Sequence, residues 1–251
     1  TPDVAVEKAT PPEPVEPTRW PLTGVITDEV AQRPAIAVKI ENTRFARPQG
    51  GLEAADMVWE TIVEFEVSRF VAVYHSQMPE EIGPIRSVRP MDIPIAAPLR
   101  APIVFSGGQR GILNLVAKSS LQAISHDAGA PGLFRVSHRS APHNVYGSLA
   151  SFVEQADADH SAPPPEQFRF ALRPNLATAA QLGTPATVVD FRLSGAANPT
   201  WTWDAGTGRW LRAEGNQPAM AESGVQLSAA NVVAITAPHR ASGFKAQGGA
   251  S

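Results

Sequence analysis

Four short runs rich in β-branched residues, crowded between residues 34 and 108, constrain this chain most. "PAIAVKI" (34–40) is apolar and β-branched and reads as a buried strand. "DMVWETIVEF" (56–65) and "SRFVAVYHS" (68–76) read as two adjacent strands with partial alternation. At period 2, Val58, Glu60, Ile62 and Glu64 would share one face. "APIVFSGG" (101–108) is a strand that runs into a glycine pair. Helices are fewer. Ile112, Leu115 and Val116 have helical spacing in "QRGILNLVAKS" (109–119), and Ser148 stands as the N-cap of "LASFVEQA". The pattern predicts an α+β fold: a mixed sheet with a few helices, followed by a smaller β-rich domain.

The punctuation of the chain sets the expected domains. Residues 1–19 are rich in Pro, Thr and Glu, too polar to repay the entropy of ordering, and predict an extended, disordered stalk. The body is expected over 20–160, as an α+β ligand-binding domain. "SAPPP" (161–165) breaks the chain, and the β-rich domain is expected over 166–251. There, "ATVVDFRLS" (186–194) and "ANVVAITA" (230–237) read as strands, and "PTWTWDAGTGRWLRA" (199–213) as a hairpin around an Asp-Ala-Gly-Thr-Gly turn. After Pro238 the chain turns to Gly, Ala and Ser and ends without a closing strand.

Composition excludes several functions. The 251 residues carry a formal net charge of -3, against the dominant basic face of a nucleic-acid binder. With no cysteine there is no disulfide, thiolate metal site or cysteine nucleophile, which fits an exported bacterial protein. No apolar run approaches the ~18 residues that span a membrane. A Walker A loop and a G-x-S-x-G elbow are both absent, and no cofactor or metal is expected.

What remains is an anion site. "GPIRSVRP" (83–90) holds Arg86 and Arg89 three apart between prolines, so two guanidinium forks stand about 5–6 Å apart at Cβ on a turn. Their alternative use is pairing with Glu60, Glu64 or Glu66. The loop "ENTRFARPQ" adds Asn42, Arg44 and Arg47 at a strand end, where binding groups often stand. Gly107 and Gly108 open the next helix and suggest an amide cradle for an anion. Glu60 and Glu64 read either as an acid and base pair or as a lattice with Arg69, Arg86 and Arg89. "FRVSHRSAPHN" (134–144) supplies Arg135, His138, Arg139, His143 and Asn144, whose spacing suits hydrogen bonding better than a metal.

The ordered set "AVKIEN", "ARPQGGL", "AADMVWETIVE", "SRFVAVYHSQ", "IGPIRSVRP", "SGG" and "RSAPHN" resembles the YerB-like lipoprotein family of Gram-positive bacteria, and "WTWDAGTGRWLRA" with "LSAANVVAI" is similar to that family's second domain. The resemblance implies an extracytoplasmic protein held to the membrane by a lipid anchor that is absent from this chain, its lipidated cysteine expected upstream of Thr1. It brings no established activity. It gives weight to Asn42, Arg47, Glu60, Glu64, Arg69, Arg86, Arg89, Arg139, His143 and Asn144 as polar motif residues that converge on one pocket. The function expected is capture of an anionic small molecule or cell-wall polymer fragment, with no nucleic-acid partner. Two alternatives stand beside it. One is a hydrolase or transferase acting on wall glycans through Glu60 and Glu64. The other is a scaffold for envelope proteins that presents Trp201, Trp203 and Trp210.

Overall fold

The computed structural model describes residues 16–238 and 243–244. Its centre is a sheet of β1 (Ile36–Glu41), β2 (Met57–Ile62), β3 (Ser68–Tyr74), β4 (Ile103–Phe105) and β5 (Ala123–Ser125), in the order β2-β3-β1-β4-β5. β3 is antiparallel to both β1 and β2, whereas β1, β4 and β5 are parallel. Four of the five strands therefore point the same way, and their carboxyl ends form one edge.

Both faces of this sheet are covered, which explains why β1 and β3 are buried at every position. Ala37, Val71 and Val73 face a front core with Leu99, Ile112 and Val116, under α1 (Asp92–Ala96) and α2 (Arg110–Ala117). Ile36, Val38, Ile40, Phe70, Ala72 and Tyr74 face a back core with Leu149 and Phe152 of α3 (Leu149–Glu154). Between α2 and α3, β6 (Leu133–Arg135) and β7 (Val145–Gly147) form a small antiparallel ribbon. Ser148 stands at the N-cap of α3, but its side chain makes no capping bond. In α2 the inward side chains are Ile112, Leu113 and Val116, and Leu115 points to solvent instead.

After the short helix α4 (Thr178–Leu182) comes a second sheet of β8 (Val188–Asp190), β9 (Pro199–Asp204), β10 (Arg209–Glu214), β11 (Gln217–Pro218) and β12 (Ser228–Ala229). The fold is α+β, as expected. β9 and β10 are the expected hairpin, with Trp203 opposite Trp210. The run 230–237 departs from expectation. Just before it Ser228 and Ala229 pair with β10, and none of the described residues beyond them lies in a strand, which leaves Val233 and Ile235 exposed. The two sheets share apolar packing, because Ala219, Ala221 and Leu227 enter the back core.

Of the expected stalk, residues 1–15 lie outside the described residues, as do 239–242 and 245–251 near the other end. Arg19 belongs to the body, for it bridges Ile26 and donates from Nη1 to Gly24 O at 2.7 Å.

Candidate functional site

The carboxyl edge of the first sheet is crossed by the segment "GPIRSVRP". The Glu41 amide donates to Pro84 O, the Arg86 amide to Lys39 O, the Ser106 amide to Arg86 O and the Val88 amide to Gly107 O, all within 3.1 Å. The segment thus wedges between the ends of β1 and β4. In open α/β sheets, ligands bind in the crevice beyond such parallel strand ends. Beneath it, Lys39 and Asp92 form an ion pair at 2.5 Å with both side chains fully buried. Burial pushes the Lys39 ammonium down, against the attraction of Asp92. Asp92 Oδ2 also accepts the Arg89 amide at 2.7 Å, so the buried pair fixes the turn that carries Arg89.

Strand alternation then sorts the polar residues onto two faces. Glu41 lies directly opposite Arg69, and both share the front face with Lys39. Arg89 grips Glu64 through two bonds, at 2.5 and 2.7 Å. Burial alone would raise the Glu64 pKa, but the bonds and charge of Arg89 outweigh it and hold the carboxyl below its usual range. Glu41, 1 % exposed, accepts from Thr43 at 2.8 Å and lies 2.9 Å from His143 Nδ1 through both oxygens. Arg86 Nε approaches Glu41 at 3.3 Å, an ion contact too poorly aligned for a hydrogen bond, since this nitrogen has no hydrogen-bond partner.

Arg69 is the exception. It is 7 % exposed and belongs to no ion pair among the described residues. Its Nη1 donates to Ser87 O at 3.2 Å, and its buried Nε has no partner. Burial first, then the charges of Arg89 and Arg86, pull its guanidinium down to about 10, against the attraction of Glu64 and Glu41. The front edge therefore pairs Arg86 with Glu41 and Arg89 with Glu64 and leaves Arg69 without an ion pair among the described residues, with His143 at its side. Exposed Phe45, tilted against His143, and exposed Phe65, next to Glu64, project from loops at this edge. Phe65 and Glu66 both take left-handed backbone, φ 61° and 58°, an arrangement that costs about 1–2 kcal/mol per residue.

Gly107 and Gly108 serve close approach. At Gly107, φ +83°, a Cβ would stand 3.2 Å from Asp127 Oδ2 and 3.3 Å from Ser87 Oγ; at Gly108 it would meet Leu113 at 2.9 Å. Beyond them an apolar cleft of about 330 Å³, lined by Phe105, Leu113 and Val116, opens between α2 and β5, with Asp127 among its walls.

The remaining predicted residues lie elsewhere. Glu60 faces the back of the sheet with Phe70 opposite, and there it is held at two points, both 2.9 Å, by Arg212 of β10. Arg212 also binds Glu214 at 2.6 Å and lies over the rings of Phe70 and Trp201. Asn42 donates to Ser68 at 2.8 Å and Glu214 at 3.1 Å, Ser68 donates to Glu60, and Arg47 bonds the Asn42 side chain and approaches Glu214 at 3.3 Å. These residues lock the two sheets together. Arg139 is a second strut, bound to Glu222 at 2.8 Å and to backbone oxygens of Phe45 and Pro48. Tyr146 donates to the same Glu222 at 2.6 Å. Asn144 accepts from Arg135 at 2.6 Å and serves its own hairpin. The sheet thus separates Glu60 from Glu64. Each meets its own arginine, and Glu64 is kept ionised, unlike a general acid, whose pKa must be raised.

The sequence reading passed over Glu41, Ser87 and Arg212. Two of them carry a period-2 signal: Lys39 and Glu41 alternate with apolar residues, and Trp210, Arg212 and Glu214 share one face of β10. Of the tryptophans, Trp201 is covered by Arg212, while Trp203 packs edge-on against Trp210 at 5.4 Å.

The model of the family "Protein of unknown function (DUF3048) N-terminal domain" matches residues 22–162, and that of its C-terminal domain matches residues 189–250. The chain is 33 % identical over 154 residues to the Bacillus subtilis (strain 168) protein named "Putative lipoprotein YerB". That match covers 60 % of this chain and 46 % of the relative, so it spans less than half of the relative's length. The crystal structure of YerB protein from Bacillus subtilis shares the fold, with a TM-score of 0.71 at 23 % identity, over 84 % of this chain and 72 % of that one. The resemblance read from the ordered motifs holds, and the chain belongs to the DUF3048 family through both of its domains.

Proposed function

We propose that this chain is the extracytoplasmic, ligand-binding part of an envelope lipoprotein, and that it captures an anionic small molecule or wall-polymer fragment on the edge formed by Arg69, Arg86 and Arg89. The observation that carries the reading is Arg69, a buried cation that makes no ion pair among the described residues and whose Nε has no hydrogen-bond partner. A buried charge without a partner is costly, and such strain persists where a ligand supplies the missing charge. A phosphate, sulfate or carboxylate there would accept from Arg69 while Arg86 and Arg89 flank it. The lipoprotein assignment follows the name of the Bacillus relative, and no described helix is long and apolar enough to cross a membrane.

Thermal unfolding with phosphate-, sulfate- and carboxylate-bearing wall fragments tests the reading. A ligand at 100 times its Kd stabilises by about 2.7 kcal/mol, a rise of roughly 5–11 °C for a chain of this size. The rise should vanish in a folded Arg69→Met variant. No rise with any anion would sink the proposal.

A further inference from the structure

The second sheet carries a concavity of about 660 Å³ that has no part in the arginine edge. It opens between the 191–198 hairpin, which joins β8 to β9, and the turn at Gly215–Asn216 after β10. The Phe191 amide donates to Pro199 O at 3.0 Å and the Leu193 amide to Ala197 O at 3.1 Å, so the hairpin wall is built rather than loose. The Gly215 amide donates to Asn198 O at 3.2 Å and ties the opposite wall to it.

The lining has a distinct chemistry. Asp190 accepts from Thr200 at 2.7 Å through Oδ1, and its Oδ2 has no partner among the described residues. Arg192 and Asn216 make no side-chain bond among the described residues, and both are exposed donors. Asn198 Oδ1 is shut off from solvent with no donor to meet it. Phe191 adds a half-buried ring. One carboxylate and one guanidinium cancel, so the concavity has no net charge to attract an ion. Mixed donors and acceptors around a ring, in a space of this volume, match a neutral ligand rich in hydroxyls.

We infer that this concavity is a saccharide site. Asp190 Oδ2 accepts from a sugar hydroxyl, and Arg192 and Asn216 donate to ring or hydroxyl oxygens while Phe191 covers an apolar face. The hairpin also touches the first domain. Ser194 Oγ donates to Glu66 O at 2.5 Å, and a Cβ on Gly195 would meet the Glu66 carboxylate at 2.5 Å. Glu66 belongs to the same turn as Glu64, the partner of Arg89, so the saccharide site adjoins the arginine edge without depending on it.

Titration with two neutral trisaccharides, chitotriose and maltotriose, tests this inference on the whole chain. At least one should bind with a Kd of about 1 mM or tighter, and Arg192→Ala and Asn216→Ala should each weaken it about tenfold. Neither side chain supports the fold, so both variants should unfold like the wild type. Arg69→Met should bind the sugar unchanged, which separates failure here from failure of the anion site. No binding of either sugar up to about 10 mM, or equal binding by wild type and both variants, overturns the inference.

Discussion

Replacing Arg69 by Met should make the protein more stable. The guanidinium is held at about 10, well below the usual arginine range, a shift whose free-energy equivalent is about 3 kcal/mol of cost to the folded state. Because the folded pKa lies below the unfolded one, the cost is present in full at every pH below about 10, and only a rise above about 10 relieves it. At pH 7 the variant escapes all of it. Against this, the bond from Nη1 to Ser87 O is lost, worth about 1.5 kcal/mol for a charged donor. Methionine follows the path of the arginine stem and fits an irregular gap. The balance is a gain of about 2 kcal/mol, or a rise in Tm of roughly 4–8 °C. Urea titrations at pH 7, with unchanged m-value, measure it directly. A loss of about 1 kcal/mol or more would refute the reasoning, since Arg69 would then be a strut that the folded protein needs.

Other arginines should behave in the opposite way. Arg212→Met removes the cation between Glu60 and Glu214 and should cost about 3–5 kcal/mol, with calorimetry showing the two domains melting apart. Lys39→Met strands the fully buried Asp92 and should cost a similar amount, about 3–5 kcal/mol in urea titrations. Glu64→Gln should be less stable than wild type by about 1–3 kcal/mol near neutral pH. The Glu64 contribution is complete above its unfolded pKa of 4.5 and fades as pH falls through the depressed folded value, so the two stability curves should converge in acid.

The sheet was legible because β1 to β4 announce themselves as β-branched runs, and a strand needs little beyond its own residues to be recognised. The failure at 230–237 has the same root. "ANVVAITA" has strand propensity, but the pairing with β10 ends just before it, at Ala229, and propensity without a partner leaves Val233 exposed. Residue type also located Arg69, Arg86 and Arg89 without sorting friend from neighbour. Glu60 and Glu64 look alike in "VWETIVEF", yet Glu60 ends on the back face against an arginine about 150 residues away, whereas Glu64 leaves the strand for a turn under Arg89. Such pairings depend on how the second sheet docks, and no local pattern encodes that. What could have been read is the alternation of Lys39 and Glu41 within a buried strand, because charges there must find partners.

Direct calorimetric titration with a glycerol-phosphate oligomer, on wild type and on Arg69→Met at matched ionic strength, tests the central claim. The account predicts saturable binding to the wild type that weakens as salt rises, and a loss of at least about tenfold in the variant although it is folded and more stable. Equal affinity for both proteins, or no binding to the wild type, would contradict it.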